Sequence, residues 1–111
     1  MNWNHLNDVA QLESIKKDSF QQPQVIFKHS TRCSISSMAK NRLERSDVPG
    51  GIAFFYLDLI AHRNISNKIA EDFFVEHESP QILLIRNGEC VYDESHSGIS
   101  MDEIAEQAQS K

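Results

Sequence analysis

The stretch VIFKHSTRCSISSMA, residues 25–39, decides the fold of this 111-residue chain. Val25-Ile26-Phe27 is a short run of β-branched and aromatic residues, which is typical of a buried strand. A polar segment then leads to Cys33. Apolar residues recur after it at helical spacing and are predicted to form the inner, buried stripe of a helix, namely Ile35, Met38, Ala39 and Leu43. The stretch therefore predicts a strand that ends shortly before a cysteine, and a helix that begins just after that cysteine.

The rest of the chain alternates helices and strands around this unit. The predicted elements are a helix at Asn7–Asp18, a central strand at Ile52–Ile60, a helix capped by Asn64, a strand at Gln81–Ile85, a returning strand at Glu89–Asp93 and a last helix opened by His96-Ser97-Gly98. Asn87-Gly88 is a strong signal for a hairpin turn between the last two strands. Ser100 and Glu103 fit the capping box of the last helix. Phe73 and Phe74 are predicted to be core residues because they continue the apolar face of the third helix.

This order of elements predicts an α/β fold. Strands that are separated by helices are expected to pair in parallel through right-handed crossovers, and the final hairpin adds an antiparallel edge. We therefore expect one domain over residues 1–111, with three layers, a central mixed sheet of about four strands, and helices on both faces. The stretch around Trp3 could add a short further strand.

The composition is that of a globular protein, with 40% hydrophobic and 24% charged residues. No apolar run approaches the roughly 20 residues that cross a bilayer, and residues 1–8 lack the basic-then-apolar order of a signal peptide. The net charge of −5 argues against a general nucleic-acid binder. We therefore expect a cytoplasmic protein that has neither nucleic acid nor a membrane as its partner.

Cys33 and Cys90 are the two cysteines of the chain, which are too few for a disulfide framework or a structural zinc site. The five histidines show no metal-ligand spacing, so no bound metal is expected. Cys33 instead follows a strand and precedes a helix, whose free amides and dipole favour the thiolate. It also lies in the basic segment 28–45, where five lysines and arginines stand against a single glutamate.

The immediate neighbours of Cys33 are polar. Thr31, Arg32 and Ser34 favour an exposed and reactive thiol over the alternative, a buried cysteine that acts as a small hydrophobe. Arg32 is the nearest cation in the sequence, and Lys28 or His29 could add to its effect. Cys33 is therefore the candidate nucleophile.

Ser36 stands three residues after Cys33, in a C-x-x-S pattern. In a first helical turn this spacing lets the Ser36 hydroxyl or amide approach the sulfur, although an ordinary polar helix residue is equally compatible with the pattern. A serine cannot close a disulfide, so a mixed disulfide on Cys33 requires an external thiol or Cys90 to resolve it. Cys90 lies on the predicted edge strand and is interpreted as a packing residue.

Ser79-Pro80 directly precedes the strand that begins at Gln81. A trans proline at a strand start is one interpretation, since its missing N–H does no harm there. The other is a cis bond that leaves the Ser79 backbone free to pair with an extended ligand. The spacing alone does not decide between them.

Two segments are similar to a known family: KHSTRCSISSMA at residues 28–39, and HESPQ at residues 77–81. Together with the order of elements, which resembles the thioredoxin fold over nearly the whole chain, they identify the chain as a member of the YtxJ family, the monothiol bacilliredoxins. The family usually has proline after the cysteine, and Ser34 stands there in this chain. Ser36 matches the serine of the family pattern.

The resemblance implies a thiol–disulfide oxidoreductase that removes bacillithiol from mixed disulfides on client proteins, with Cys33 as nucleophile and Ser36 beside it. Bacillithiol, a low-molecular-weight thiol, would be a co-substrate, and no bound cofactor is implied. The same resemblance implies that Pro80 is cis and faces Cys33, and that Thr31 or Arg32 lines the thiol site together with Ser34 and Ser79. Gly98 and the start of the last helix resemble the region where glutaredoxins hold the carboxylates of their thiol.

Two other functions are compatible with the sequence. The first is an iron–sulfur carrier, because monothiol glutaredoxins also carry C-x-x-S; however, Ser34 and Ile35 replace the glycine and phenylalanine of that group. The second is a non-catalytic module of the same fold that binds a partner through the Pro80 loop.

Overall fold

The computed structural model describes residues 1–109, which form a five-stranded sheet and four α-helices. The strands are β1 (Asn4–His5), β2 (Gln24–His29), β3 (Ala53–Asp58), β4 (Gln81–Arg86) and β5 (Glu89–Ser95). The helices are α1 (Ala10–Asp18), α2 (Ser34–Arg45), α3 (Arg63–Phe73) and α4 (Met101–Gln109), and a 3₁₀ turn occupies His96–Gly98. No helix within residues 1–109 is long and apolar enough to cross a membrane.

The strand order is β1-β3-β2-β4-β5, and it corrects two expectations. The central strand is β2, whose six residues are all buried, rather than the predicted Ile52–Ile60. A short strand near Trp3, which the sequence pattern left open, is present: Asn4–His5 pairs in parallel with Phe55 and Tyr56 of β3 and makes five strands instead of about four. β2 pairs in parallel with β3 and antiparallel with β4.

The antiparallel direction of β4 differs from the parallel pairing predicted for strands that helices separate. The 11 residues of α3 span about 17 Å at about 1.5 Å per residue. The seven residues 74–80 can extend over about 23 Å, so they run back along the helix and start β4 beside the carboxyl end of β2. This return places Pro80 at the end of the sheet where Cys33 also lies.

Helices cover both faces of the sheet, as predicted for a three-layer α/β fold. On one face, Val25 and Phe27 of β2 pack with Ala39 and Leu43 of α2 and with Ile104 of α4. On the other face, residues of β2 and β4 pack against α1 and α3, namely Ile26, Leu83 and Ile85 with Leu12, Ile15, Ile65 and Ile69. Each cluster removes a continuous apolar surface from water, which is the main stabilising contribution to the fold.

Three residues predicted to be core are exposed. Ile35 and Met38 are 52% and 62% exposed, because the buried stripe of α2 consists of Ser36, Ala39 and Leu43. Phe74 is 93% exposed. It is the C-cap of α3 with φ 57°, so its side chain leaves the helical periodicity that Phe73 still follows into the core.

The ends of the helices explain the remaining differences in boundary. α1 begins at Ala10 rather than Asn7, because the Asn7 and Asp8 amides donate to the Gln11 side chain. α3 begins at Arg63 with His62 as N-cap, so Asn64 lies inside the first turn and does not cap it. The prediction of a tight turn at Asn87-Gly88 is confirmed: both residues have positive φ, at 52° and 78°, as a type I′ hairpin requires.

Candidate active site

Cys33 is the N-cap of α2, at the end of the sheet where β2 ends. Its amide donates to the Ser30 carbonyl at 3.2 Å, and its carbonyl accepts from the Ser37 amide at 3.1 Å. The thiol is free and half-buried. The first amides of α2 lack carbonyl partners in their own helix, so the positive end of the helix dipole lies at this cysteine.

The Ser36 hydroxyl bonds to residues other than Cys33, so the structure does not show the approach of this hydroxyl to the sulfur that the C-x-x-S spacing allows. The side chain is fully buried, and its Oγ accepts from the Ser30 amide at 3.0 Å. The same oxygen lies 2.6 Å from Nδ1 of His29. Ser36 therefore fixes the turn that leads to Cys33 from the side of β2.

His29 completes this arrangement as the last residue of β2. It is buried, with its ring stacked on Phe27 and its centroid 5.5 Å from that of Tyr56. Burial above all, and the Lys40 charge next, lower its pKa from the ordinary value of 6.5. His29 is thus a neutral, hydrogen-bonded structural residue, and it supplies no positive charge to the thiol.

Most of the basic side chains in the segment around Cys33 are buried or bonded to other groups of the protein. Lys28 lies on the opposite face of the sheet from α2 and is fully buried. Lys40 pairs with Glu44 at 2.9 Å, and Arg42 donates to the Ile99 carbonyl at 3.0 Å. Arg32, one residue before Cys33, is exposed.

Thr31 and Ser34, the other predicted neighbours of the thiol, flank Cys33 and are exposed. Thr31 precedes Arg32 in the turn, and Ser34 is the first residue of α2 in the place where the family has proline. Their positions leave both hydroxyls accessible to a substrate on Cys33.

The Ser79–Pro80 peptide bond is cis, as the family resemblance implies. Gln81, which follows it, is the register partner of Lys28, so Pro80 lies beside the end of β2. Ser79 Oγ is a buried side-chain oxygen that has no hydrogen-bond partner within residues 1–109. Such a group is a candidate for bonding to a substrate, because a buried polar atom is rarely left without a partner.

Gly98 belongs to the 3₁₀ turn, which lies next to the Pro80 segment at the end of the sheet where Cys33 also lies. The two are joined by a hydrogen bond, since the His96 amide donates to the Pro80 carbonyl at 3.0 Å. It does not open α4, which begins at Met101 after Ser100. A Cβ atom added at Gly98 would lie 2.7 Å from the carboxyl carbon of Glu94.

The start of α4 is less suited to anions than the family resemblance implies. Ser100 Oγ already accepts the Glu103 amide at 3.2 Å, which is the first half of the predicted capping box. Asp102 and Glu103 place two carboxylates in the first turn. Their charge occupies the positive end of the helix, where a ligand carboxylate would otherwise bind.

Cys90 is not part of this site. It lies on β5 opposite Ile85, which pairs in turn with Gln24 at the start of β2, whereas Cys33 follows the end of β2. The six residues of β2 separate the two cysteines by about 17–20 Å, and a disulfide requires Cα atoms within about 7 Å. Burial raises the pKa of Cys90 to about 11, which keeps the thiol protonated near neutral pH.

Sequence analysis missed the role of several polar residues behind the Pro80 loop. Ser66 and His77 both contact buried Lys28, and Gln81 is itself buried. The signal that could have identified them is a lysine inside an otherwise apolar strand, because lysine is almost never fully buried unless it is paired.

Comparison with known proteins agrees with this geometry. The family model described as monothiol bacilliredoxin BrxC matches residues 4–104. A solved structure of a protein described as a candidate oxidoreductase with a thioredoxin fold is 29% identical, with a TM-score of 0.78, and the match covers 93% of this chain and 90% of that one. Thioredoxins share the fold at lower identity. That of Malassezia sympodialis matches at 16% with a TM-score of 0.75 (97% and 90% covered), and that of Schistosoma mansoni at 19% with 0.66 (97% and 94%).

Proposed function

The chain belongs to the monothiol bacilliredoxin family BrxC, and from this premise we propose that it removes bacillithiol from mixed disulfides on client proteins, with Cys33 as the nucleophile. One observation carries the proposal: Cys33 is a free cysteine at the N-cap of α2, next to exposed Arg32. A helix N-terminus and a nearby cation are the surroundings that make a cysteine reactive. The cytoplasm is the proposed location, because thiols are kept reduced there.

The proposed reaction has two exchange steps. The Cys33 thiolate attacks the bacillithiol sulfur of the mixed disulfide; the client cysteine leaves as a thiolate and takes up a proton, and bacillithiol stays on Cys33 as a new disulfide. A second bacillithiol, as its thiolate, then attacks the bacillithiol sulfur of that adduct. This step releases Cys33 as thiolate and forms the bacillithiol disulfide, so over both steps the client sulfur is reduced to a thiol while the second bacillithiol is oxidised from a thiol to a disulfide.

Three segments at one end of the sheet are proposed to hold the substrate. Thr31, Arg32 and Ser34 adjoin Cys33 in the chain and are exposed. The buried hydroxyl of Ser79, which has no hydrogen-bond partner within residues 1–109, offers a hydrogen bond on the segment before Pro80. Gly98 lies in the 3₁₀ turn, where the absence of a side chain lets the Glu94 carboxylate approach the backbone closely. The role of Ser36 in this scheme is to position the turn that carries Cys33.

The test is mass spectrometry of the reduced protein after incubation with a client peptide bearing bacillithiol in a mixed disulfide. We expect one bacillithiol adduct on Cys33 and release of the reduced peptide. Cys90→Ala should behave like the wild type, and Cys33→Ala should form no adduct. An adduct on Cys90, or turnover by Cys33→Ala, would show that the nucleophile is assigned wrongly.

A second arm of the same experiment addresses the small thiol. The peptide is prepared with glutathione and with free cysteine in place of bacillithiol, and the initial rates are compared at equal concentration. We expect the bacillithiol peptide to react fastest. Equal rates for all three peptides would indicate a general thiol–disulfide oxidoreductase and would reject the preference for bacillithiol.

A further inference from the structure

Lys28 is a buried amino group that the proposed reaction does not use. It lies on the central strand with no exposed surface, on the face that packs against α1 and α3. Among the described residues, no carboxylate forms an ion pair with it. Desolvation lowers its pKa to about 8, so the ammonium form predominates at neutral pH.

The hydrogen bonds of Lys28 lead to the segment before Pro80. Nζ donates to the Ser66 carbonyl of α3 at 3.3 Å and lies 3.3 Å from Nδ1 of His77. An ammonium group has donors only, so Nδ1 of His77 is the acceptor and the neutral ring carries its proton on Nε2. Ser66 Oγ lies 3.3 Å from the same nitrogen.

A second buried side chain binds the same segment from the neighbouring strand. Gln81 is the register partner of Lys28 across β2 and β4. Its Nε2 donates to the Glu76 carbonyl at 3.0 Å, and its Oε1 accepts from the Glu78 amide at 3.4 Å. The segment 76–78 is therefore held at three consecutive residues, and Ser79 and Pro80 follow it directly.

We propose that Lys28 is a positioning residue, which through His77 fixes the segment 76–80 against α3 and so places Ser79 and Pro80 for substrate binding. The inference rests on the proposed function, because it assigns that segment to the substrate. If Lys28 had a purely structural role, replacing it would lower the stability of the folded protein. Here methionine could fill the same apolar space without desolvating a charge, and Nδ1 of His77 would keep Ser66 Oγ as a neighbour.

The test compares Lys28→Met with the wild type. We expect the urea midpoint to stay the same or rise, whereas kcat/KM for the bacillithiol peptide falls about tenfold through a higher KM. The rate of Cys33 alkylation should stay within about twofold, because Lys28 acts on the substrate segment and not on the thiol. Lys68→Met is the matched control, since it removes a partly exposed lysine of α3 that pairs with Asp72, and its kcat/KM should not change.

The tautomer of His77 gives a readout independent of turnover. Long-range proton–nitrogen NMR should show His77 with its proton on Nε2 alone in the wild type, and a mixture of both tautomers in Lys28→Met. If the wild-type protein does not act on the bacillithiol peptide, the proposed function fails, and the NMR result still decides whether Lys28 holds His77.

Two results would overturn the inference. One is an unchanged His77 tautomer together with less than a twofold fall in kcat/KM for Lys28→Met. The other is a loss of activity that is no larger than the loss of folded protein. Should Lys28→Met not fold, Gln81→Leu tests the same segment from β4, with the same fall in kcat/KM expected and unchanged Cys33 alkylation. Activity at the wild-type level in that variant would also reject the proposal.

Discussion

Replacing Ser36 with alanine is expected to destabilise the protein rather than to quench the thiol. The Ser36 hydroxyl is fully buried and serves two partners, the Ser30 amide at 3.0 Å and His29 Nδ1 at 2.6 Å. A buried polar group that loses its partner costs about 1–3 kcal/mol. With two such groups, we expect Ser36→Ala to lower the free energy of unfolding by at least about 2 kcal/mol, a large part of the roughly 5–15 kcal/mol typical of small domains.

Urea unfolding measured by tryptophan fluorescence suits this test. The single tryptophan, Trp3, stacks on Phe27 of β2 with ring centroids 5.6 Å apart, so it reports on the strand that ends at His29. For a slope of about 2 kcal/mol per molar urea, the midpoint should fall by at least about 1 M. Ser37→Ala is the matched control: its hydroxyl has no hydrogen bond within residues 1–109, and a change below about 0.5 kcal/mol is expected.

Alkylation of Cys33 distinguishes the two roles that Ser36 could have. A hydroxyl that donated to the thiolate would be worth about 1–2 kcal/mol, so its loss would slow alkylation about tenfold. Because the hydroxyl is directed to His29 and Ser30 instead, we expect the rate in folded Ser36→Ala to stay within about threefold of the wild type. Stability equal to that of Ser37→Ala, combined with a tenfold slower alkylation, would refute this account of Ser36.

Three further predictions concern other parts of the molecule. At pH 8, iodoacetamide should label Cys33 much faster than Cys90, because a pKa of about 11 leaves Cys90 with about one thiolate in a thousand; peptide mapping measures both rates, and similar rates in the folded protein would contradict the assignment. Phe74→Gly should raise the melting temperature by about 4 °C, because this exposed residue has φ 57° and the left-handed backbone conformation costs about 1 kcal/mol less free energy for glycine than for phenylalanine. A lower melting temperature would show that the phenylalanine ring contributes packing. Between pH 8 and 10.5, the free energy of unfolding should rise in the wild type relative to Lys28→Met, because burial lowers the pKa of Lys28 to about 8 in the folded chain, so that the unfolded chain binds more protons over this range. Urea titrations of both proteins at several pH values test this, and a constant difference would show that Lys28 is not desolvated.

Local patterns in the sequence were sufficient to predict most of the helices and strands, and to place Cys33 between a strand and a helix. The apolar run Val25–Phe27, the helical spacing after Cys33 and the Asn87-Gly88 turn each act over a few residues, and the structure has all three features. The cis state of Ser79–Pro80 was predictable only through the family resemblance, because the same residues suit a trans proline at a strand start.

Features that depend on three-dimensional pairing were not predictable in this way. A strand has the same alternation in either direction, so nothing in Gln81–Arg86 shows that β4 runs antiparallel to β2. Ile35 and Met38 fit a helical stripe, but the turn at Ser30–Cys33 sets the rotation of α2 and directs Ser36 inward instead. The partners of Lys28 lie 38 and 49 residues away along the chain, beyond the reach of any local pattern.

The geometry also gives a physical reason for the use of a single thiol. The third residue after Cys33, where a second cysteine could resolve an adduct, is a serine whose buried hydroxyl holds the turn to His29 and Ser30. Cys90 lies a strand length away, and at neutral pH very little of it is the thiolate that attack requires. Within residues 1–109 there is no third cysteine. A thiol from solution is therefore the remaining nucleophile for an adduct on Cys33, and the accessible surface around Thr31, Arg32 and Ser34 is where it would approach.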